Sequence, residues 1–363
     1  MNELPAEALL RVEHLKKHFP VHRGVLRREV GTVRAVDDVS FEIRRGKTLG
    51  LVGESGCGKT TTSRMILRAL EPTAGRILFR RPAGEVVDLA SLNRRALRPL
   101  RSEIQMVFQD PMASLNPRMT VFELIAEPLR AQGWKRRDRQ ARVQELMELV
   151  GLDPRYLRRY PHAFSGGQRQ RIGIARALAP RPSLVVADEP VSALDVSVQA
   201  QILNLLQRLR DQLGLTFLFV AHDLSVIRYL CDEVAVMYKG RIVEHAETEA
   251  LFTHPRHPYT QTLLDAAPTP DPHAPWLEHQ PEADTASEPA PAEAGGCAFA
   301  ARCAHATERC RQEMPVLANQ AHPEQTPAHH AACHHAAELT QPGVSAAAER
   351  SATAGRLRSA SPQ

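Results

Sequence analysis

The 363-residue sequence lacks any apolar run long enough to span a membrane. One of its longest, residues 215–221, has seven residues, whereas a transmembrane helix needs roughly 20. The N-terminal stretch also lacks the basic start and apolar segment of a secretory signal. We therefore expect a cytoplasmic protein that is held at a membrane only by a partner.

Aromatic residues are scarce as well, at 5% of the chain, and no internal repeat is visible. The net charge is +5, and residues 110–179 alone hold 13 Arg and Lys against 7 Asp and Glu. Such a surface can bind nucleic acid or lie against an anionic membrane, and an ordinary solvated face explains it equally well. Because no base-stacking pattern or nucleic-acid-binding module accompanies the charge, we do not expect nucleic acid as a ligand.

The hydrophobic pattern predicts an α/β domain that is interrupted by a helical insert. We expect helices at residues 59–70 and 198–213, and a mainly helical region at 121–179 within an insert of about 110–179. The predicted strands are 36–43, 48–52, 75–79, 104–108, 184–187, 215–221 and 234–238.

The composition changes at residue 268. Residues 268–296 are rich in Pro, Ala, Glu and His and predict a linker after a domain of residues 1–267. A cysteine-bearing segment follows at 297–335. We expect residues 336–363 to be a disordered tail.

Residues 53–61, Gly-Glu-Ser-Gly-Cys-Gly-Lys-Thr-Thr, predict a phosphate-binding loop between a strand and a helix. The glycines let backbone N–H groups face phosphate oxygens, and the helix N-terminus adds partial positive charge. Lys59 would supply charge to the β- and γ-phosphates, and the Thr60 hydroxyl would ligate Mg²⁺. Cys57 is interpreted as a small filler of the loop. The predicted nucleotide-binding residues here are Gly53, Ser55, Gly56, Cys57, Gly58, Lys59, Thr60 and Thr61.

Three further polar sites each follow a predicted apolar strand. Asp188 and Glu189 end one strand, where we assign Asp188 to the Mg²⁺ and Glu189 as the general base for the attacking water. His222 follows a strand that ends at the same sheet edge as the phosphate loop, which favours a γ-phosphate contact. Gln109 follows another strand, and its amide can join the water shell of the metal.

The tetrapeptide Ser165-Gly166-Gly167-Gln168 lies between the phosphate loop and the acidic pair. A specified string of four residues falls at a given position by chance about once in 160,000. This order of motifs resembles the nucleotide-binding subunits of ABC transporters, over about residues 8–265. The resemblance implies an α/β fold with a RecA-like P-loop core, an antiparallel β subdomain and a helical subdomain that carries the tetrapeptide.

The resemblance also implies roles in a two-chain ATPase. The tetrapeptide, with Ser165 as a helix N-cap, would meet the ATP of a partner subunit, and Ser192 and Asp195 would belong to a D-loop that crosses the interface. His222 would be the switch histidine, and the loop after Gln109 would couple hydrolysis to membrane subunits. For adenine stacking the candidate is Phe19, with core packing as the alternative.

Three longer segments, residues 109–121, 188–206 and 255–268, resemble the ATPases of oligopeptide/dipeptide importers, in particular the F-type subunit. Such importers combine a second ATPase subunit, two transmembrane permeases and an extracytoplasmic solute-binding protein. The resemblance implies ATP-driven uptake of di- or oligopeptides from the cytoplasmic face of the membrane. Nickel or another small solute is the alternative cargo.

Two other functions are disfavoured. A soluble ABC protein of DNA repair or translation usually has two cassettes or a long coiled-coil insert, whereas this chain has one phosphate loop and an insert of ordinary length. A non-catalytic regulator does not need the intact set of Lys59, Glu189 and His222.

Four cysteines of the C-terminal segment, Cys297, Cys303, Cys310 and Cys333, invite three interpretations. A cytoplasmic location disfavours disulfides. The first interpretation is a zinc site, which would have six nearby histidines but lacks the paired Cys-x-x-Cys spacing of structural zinc. The second is a [4Fe–4S] cluster, which four thiolates suit. The third is that the segment binds no metal. Some peptide-importer ATPases have a similar segment associated with such a cluster, although Ala304 replaces their usual Pro. Cys231 is expected to be a packing residue.

Overall fold

The computed structural model describes residues 4–23, 28–266, 295–320 and 328–339. In these ranges the strands are β1 (Ala8–Arg23), β2 (Arg28–Arg44), β3 (Thr48–Val52), β4 (Ala74–Arg80), β5 (Val86–Asp88), β6 (Ile104–Val107), β7 (Leu184–Asp188), β8 (Thr216–Val220), β9 (Glu233–Tyr238), β10 (Arg241–Glu247), β11 (Ala318–Asn319) and β12 (His330–Ala331). The helices are α1 (Lys59–Ile66), α2 (Arg94–Leu100), α3 (Pro111–Ser114), α4 (Val121–Ala131), α5 (Arg136–Leu149), α6 (Gly166–Leu178), α7 (Val196–Leu213), α8 (Leu224–Leu230), α9 (Thr248–Thr253), α10 (Pro258–Asp265) and α11 (Glu308–Gln312). None of the helices in the described ranges is long and apolar enough to cross a bilayer.

The strands form two sheets. The larger has the order β11-β12-β10-β9-β3-β8-β7-β6, and its members from β9 to β6 run parallel. Every residue of β3, β7 and β8 is buried, as expected for parallel strands that are covered on both faces. The smaller sheet, β2-β1-β4-β5, is antiparallel. The predicted core and the antiparallel β subdomain are both confirmed.

The helical insert consists mainly of α4, α5 and α6. Thr120 begins α4 with a capping box, in which its hydroxyl accepts the Glu123 N–H and the Glu123 carboxylate accepts the Thr120 N–H. Leu124, Leu146 and Ile172 join one apolar core that continues under the large sheet. The predicted helical subdomain is confirmed.

The structure departs from the predicted elements at the end of α1 and within β2. The helix expected to reach residue 70 ends at Ile66, because Arg68 has a φ of +52°, which no helix continues. In β2, Val36 and Val39 are both buried although they are three residues apart. Asp38, with a φ of +71°, makes a bulge there, since Asp37 pairs with Lys16 and Val39 with Leu15.

The C-terminal segment lies against the larger sheet, where β12 pairs with β10. Of the predicted linker 268–296, all but Gly295 and Gly296 lies outside the described residues. The tail was predicted to start at 336, but the described chain continues to 339 and Ala336 is buried. Residues 340–363 are outside the described part.

Candidate functional site

The phosphate-binding loop connects β3 to α1, and its glycines are required by the backbone. Gly53, Gly56 and Gly58 have φ angles of +149°, +80° and +109°. A Cβ on Gly53 would lie 2.1 Å from the Met237 carbonyl oxygen, and one on Gly58 would lie 2.3 Å from the Ala35 carbonyl oxygen. The loop is therefore pressed against neighbouring strands in a conformation open only to glycine.

Lys59 is buried, and its ammonium lies across the loop. Its Nζ donates hydrogen bonds to the carbonyl oxygens of Gly53 (2.6 Å) and Glu54 (3.0 Å). Cys57 is buried beside it, and burial raises the pKa of this thiol, although the nearby Lys59 charge opposes the shift. A neutral thiol fits the filler role predicted for Cys57.

Ser55 and Gly56 form the exposed crest of the loop, and Thr61 lies in the first turn of α1.

Thr60 and Asp188 meet at the base of the loop. The Thr60 hydroxyl donates to Asp188 Oδ1 at 3.2 Å. Burial raises the pKa of Asp188, and the Thr60 hydrogen bond opposes the shift. A hydroxyl oxygen beside a buried carboxylate is a donor set that Mg²⁺ prefers, and a cation there would offset the cost of the buried charge. These two residues fit the predicted metal.

Glu189 brings the predicted catalytic residues together. Its Oε2 accepts a hydrogen bond from Gln109 Nε2 at 3.0 Å and lies 3.2 Å from His222 Nδ1. Glu189 has a φ of +46°, and its N–H donates to the Val220 carbonyl oxygen at 2.9 Å. A non-glycine residue held in this conformation is uncommon and marks a constrained position.

The tetrapeptide begins helix α6 with a second capping box. The Ser165 hydroxyl accepts the Gln168 N–H (3.3 Å), and Gln168 Oε1 accepts the Ser165 N–H (3.0 Å). Ser165 is exposed, so the partial positive charge of the helix N-terminus faces outward. Gly166 is half-buried, and a Cβ at this position would lie 3.3 Å from Leu194 Cδ2.

Gly167 is buried, and a Cβ there would lie 2.5 Å from Val198 Cγ1. We expect Gly167→Ala to displace the start of α6 from α7 and to lower ATP hydrolysis more than ATP binding. Gly167→Ala combined with Val198→Ala should recover most of the lost activity, because the added methyl then has room. Steady-state hydrolysis by the single and double variants tests this, with Val198→Ala alone as the control. Equal losses in the two Gly167 variants would contradict steric displacement.

The predicted D-loop joins β7 to α7. The Ser192 hydroxyl donates to the Glu189 carbonyl oxygen at 3.1 Å, which ties the loop to the end of β7. Asp195 is the N-cap of α7 but makes no side-chain capping bond, and it is exposed. Val196 is 82% exposed. A free carboxylate beside an exposed apolar side chain is available for an intermolecular contact.

Phe19 lies on β1, opposite Val33 of β2. It is 38% exposed, and Lys17 Nζ lies 5.1 Å from its ring centroid. Phe19 is therefore not part of the fully buried core. Adenine stacking on Phe19 stays a prediction.

The sequence analysis missed Gln170. This side chain is buried, and its Nε2 donates to the carbonyl oxygens of Pro190 (2.7 Å) and Phe108 (3.3 Å). It thus joins the chain just after Glu189 to the chain just before Gln109. Its one sequence signal is position, because it falls on the buried face of α6, four residues before Ile174.

The four C-terminal cysteines line one cavity together with histidines that include His257 and His305. All four are free thiols. Burial raises the pKa of Cys297 and Cys303, and that of Cys333 to about 11, so these thiols are neutral at pH 7. The cavity volume is about 10 Å³, which is room for about one water molecule.

The geometry of these residues gives a metal centre no support. Across the described ranges, no three His, Cys, Asp or Glu side chains are placed to hold a metal ion. The iron–sulfur and zinc interpretations therefore gain no support. Cys231, in contrast, is buried as predicted, and burial raises the pKa of its thiol.

Two family models match the chain. One, described as ABC transporter, matches residues 36–192. The other, described as the C-terminal region of oligopeptide/dipeptide transporters, matches residues 243–310. The first range contains the phosphate loop, the tetrapeptide and the acidic pair, and the second contains three of the four C-terminal cysteines.

Curated relatives align over most of the chain. A probable peptide ABC transporter ATP-binding protein of Sinorhizobium fredii is 50% identical over 313 residues, which are 86% of this chain and 87% of the relative. The oligopeptide transport ATP-binding protein AppF of Bacillus subtilis is 46% identical and aligns over 90% of this chain and 97% of its own length. OppF of the same organism is 54% identical over 73% of this chain and 84% of its own.

Solved structures share the fold. The ATP-binding cassette MJ0796, in a dimeric post-hydrolysis state with ADP and phosphate, aligns with a TM-score of 0.57 and 27% identity over 66% of this chain and 99% of its own. CbiO1 of Clostridium perfringens, part of the CbiONQ ABC transporter complex, aligns with a TM-score of 0.58 and 26% identity over 68% of this chain and 91% of its own.

Proposed function

Because this chain belongs to the ATP-binding proteins of the oligopeptide/dipeptide ABC transporters, we propose that it hydrolyses ATP to power the uptake of di- or oligopeptides. The observation that carries the ATPase part is the convergence of Gln109 and His222 on Glu189, close to the Thr60–Asp188 pair. The peptide part is supported by the relatives, whose names describe peptide or oligopeptide transport.

Binding of ATP is assigned to the loop and the groups at its base. The backbone N–H groups of the loop and the Lys59 ammonium bind the phosphates, because both are donors held in place before the ligand arrives. The Thr60 hydroxyl and the Asp188 carboxylate would hold Mg²⁺. The metal supplies positive charge against the phosphates when it is bound.

Hydrolysis is assigned to Glu189. Its carboxylate orients the attacking water and accepts its proton. Gln109 donates to this carboxylate and His222 lies within hydrogen-bond reach, so both limit the orientations that Glu189 can take. The constrained backbone at Glu189 supports the same role, because a fixed backbone limits the directions in which the carboxylate can point.

The complete ATP site is proposed to need a second ATPase chain, either identical or different. The exposed Ser165 at the start of α6 would face the partner's ATP, and the exposed Asp195 and Val196 would lie in the interface. The dimeric state of the MJ0796 cassette supports this arrangement. Two permeases and an extracytoplasmic solute-binding protein complete the importer, with this chain peripheral at the cytoplasmic face.

No step of the proposed cycle involves the cysteine cavity. A [4Fe–4S] cluster in the C-terminal segment remains a prediction from the family resemblance alone. Nickel or another small solute stays the alternative cargo, because an ATPase subunit of this kind does not contact what is transported.

Uptake of labelled di- and oligopeptides by cells that lack this chain tests the proposal. Wild-type protein should restore uptake, and the Glu189→Gln variant should not, because it retains the fold but lacks the base. Glu249→Gln, which changes an exposed carboxylate on α9, is the matched control and should restore uptake fully. Normal peptide uptake without the chain would mean that another importer is redundant with it or that its cargo is different, and nickel would be the next solute to assay.

A further inference from the structure

The C-terminal segment contacts the phosphate loop through one side chain. Arg302 Nη1 donates to Glu54 Oε2 at 3.0 Å, and Arg302 Nη2 donates to Glu54 Oε1 at 2.9 Å. Glu54 is the second residue of the loop, between Gly53 and Ser55. The pair is bidentate, which is the strongest and most directional form of an Arg–carboxylate contact. Glu54 correspondingly raises the pKa of Arg302.

Arg302 is held over the loop by packing. Phe299 is buried, and its ring lies 5.3 Å from that of Tyr238 and 5.5 Å from that of Tyr259. The 3₁₀ turn Ala300–Arg302 follows directly, so the buried Phe299 ring fixes the position of the Arg302 backbone. The guanidinium carbon lies 5.5 Å from the centroid of Phe299 and 5.9 Å from that of Tyr238. Both distances are within the range of a cation–π contact, so the two rings help to hold the guanidinium in place.

The backbone of Glu54 is held by a second residue. Tyr259, in α10, is fully buried, and its hydroxyl accepts the Glu54 N–H at 2.9 Å. Both the carboxylate and the amide of Glu54 are therefore bound by residues from beyond β10, far along the chain from the loop.

We propose that Arg302 and Tyr259 are positioning residues for ATP binding, through which the C-terminal segment sets the affinity of the phosphate loop. Arg302 holds the Glu54 carboxylate and neutralises a charge that would repel the phosphates of ATP. Tyr259 keeps the Glu54 peptide in the orientation that the loop needs. This inference rests on the proposed ATPase function and adds a role for the segment beyond β10.

Titration calorimetry of the full chain with Mg-ATP tests the role of Arg302. Arg302→Ala should raise the Kd for ATP about three- to tenfold, since a half-exposed but bidentate pair is lost next to a polyanion. The KM should rise by a similar factor while kcat at saturating ATP changes little. The effect on Kd should shrink in high salt, because exposed charges are screened. Arg302→Lys should recover part of the affinity, since it keeps the charge but loses the fork.

Arg309→Ala is the matched control, because Arg309 forms an exposed ion pair with Glu313 in the same segment and, within the described residues, does not contact the loop. Its Kd should equal that of wild type. Tyr259→Phe keeps the ring packing and removes only the hydroxyl, so its Kd should rise several-fold without the salt dependence.

The double variant separates positioning from a general loss of structure. In a Glu54→Gln background, Arg302→Ala should have little further effect on Kd, since the charge that it balances is gone. An equal effect in both backgrounds, or an Arg302→Ala variant with wild-type Kd, would overturn the inference. Failure of the wild-type chain to bind ATP, or binding that does not depend on Lys59, would instead overturn the proposed function.

Discussion

Replacing Glu189 with Gln is expected to lower the rate of ATP hydrolysis at least about a hundredfold, because general-base catalysis contributes about 10²- to 10⁴-fold. The amide has nearly the same size as the carboxylate and can still contact Gln109, but it cannot accept a proton from water. ATP binding should stay within about twofold of wild type, since Glu189 is not among the groups assigned to the phosphates. A closed, ATP-bound dimer should accumulate.

Three measurements check this result: the steady-state kcat, the Kd for ATP and the mass of the ATP-bound complex in solution. The control is Glu249→Gln, whose carboxylate pairs with Arg228 on the surface. It should hydrolyse ATP at the wild-type rate. Unchanged turnover in Glu189→Gln would remove this residue as the base and leave the nearby Asp188 as the carboxylate to examine.

Replacing Lys59 with Ala is expected to weaken ATP binding at least about a hundredfold. Two charge-assisted hydrogen bonds to phosphate oxygens are worth about 3 kcal/mol or more, and about 2.7 kcal/mol corresponds to a hundredfold in Kd. The ammonium is buried and already lies within the loop, so it needs little reorganisation to contact a ligand there. Hydrolysis at moderate ATP concentrations should be lost with binding.

The control for this substitution is Lys47→Ala. Lys47 is an exposed lysine that pairs with Asp232 and precedes β3, at the end of the strand opposite the phosphate loop. Its Kd for ATP should be that of wild type. Thermal unfolding of both variants shows whether the chain still folds, because Lys59→Ala also frees the carbonyl oxygens of Gly53 and Glu54. A folded Lys59→Ala chain with wild-type affinity would contradict the assigned phosphate site.

Local sequence was enough to predict that Gln109, Glu189 and His222 lie together, because each residue follows a buried strand. Asp188 ends β7, His222 comes two residues after β8, and Gln109 comes two residues after β6. The carboxyl ends of parallel neighbours meet at one edge of a sheet, so the order of motifs along the chain implied their convergence. The helical insert was predictable for a similar reason, since apolar residues recur at helical spacing in α4 and in the second half of α5.

Other features depend on which distant segments pack together. Gln170 carries no sequence signal that it joins the chain at Pro190 to the chain at Phe108, because both acceptors are backbone carbonyls. Pattern analysis also could not show that Phe19 is exposed, since exposure depends on the pairing of β1 with β2.

By itself, the sequence determined the phosphate loop, the acidic strand end and the α/β order, because glycine conformation and apolar periodicity act over a few residues. Only the tertiary structure decided that Arg302, almost 250 residues after Glu54, contacts the phosphate loop. It also decided that the cysteine thiols surround a small cavity without forming a metal-binding group in the described ranges. Such contacts arise from the docking of the C-terminal segment on β10 and the aromatic rings beside it, which no short pattern encodes.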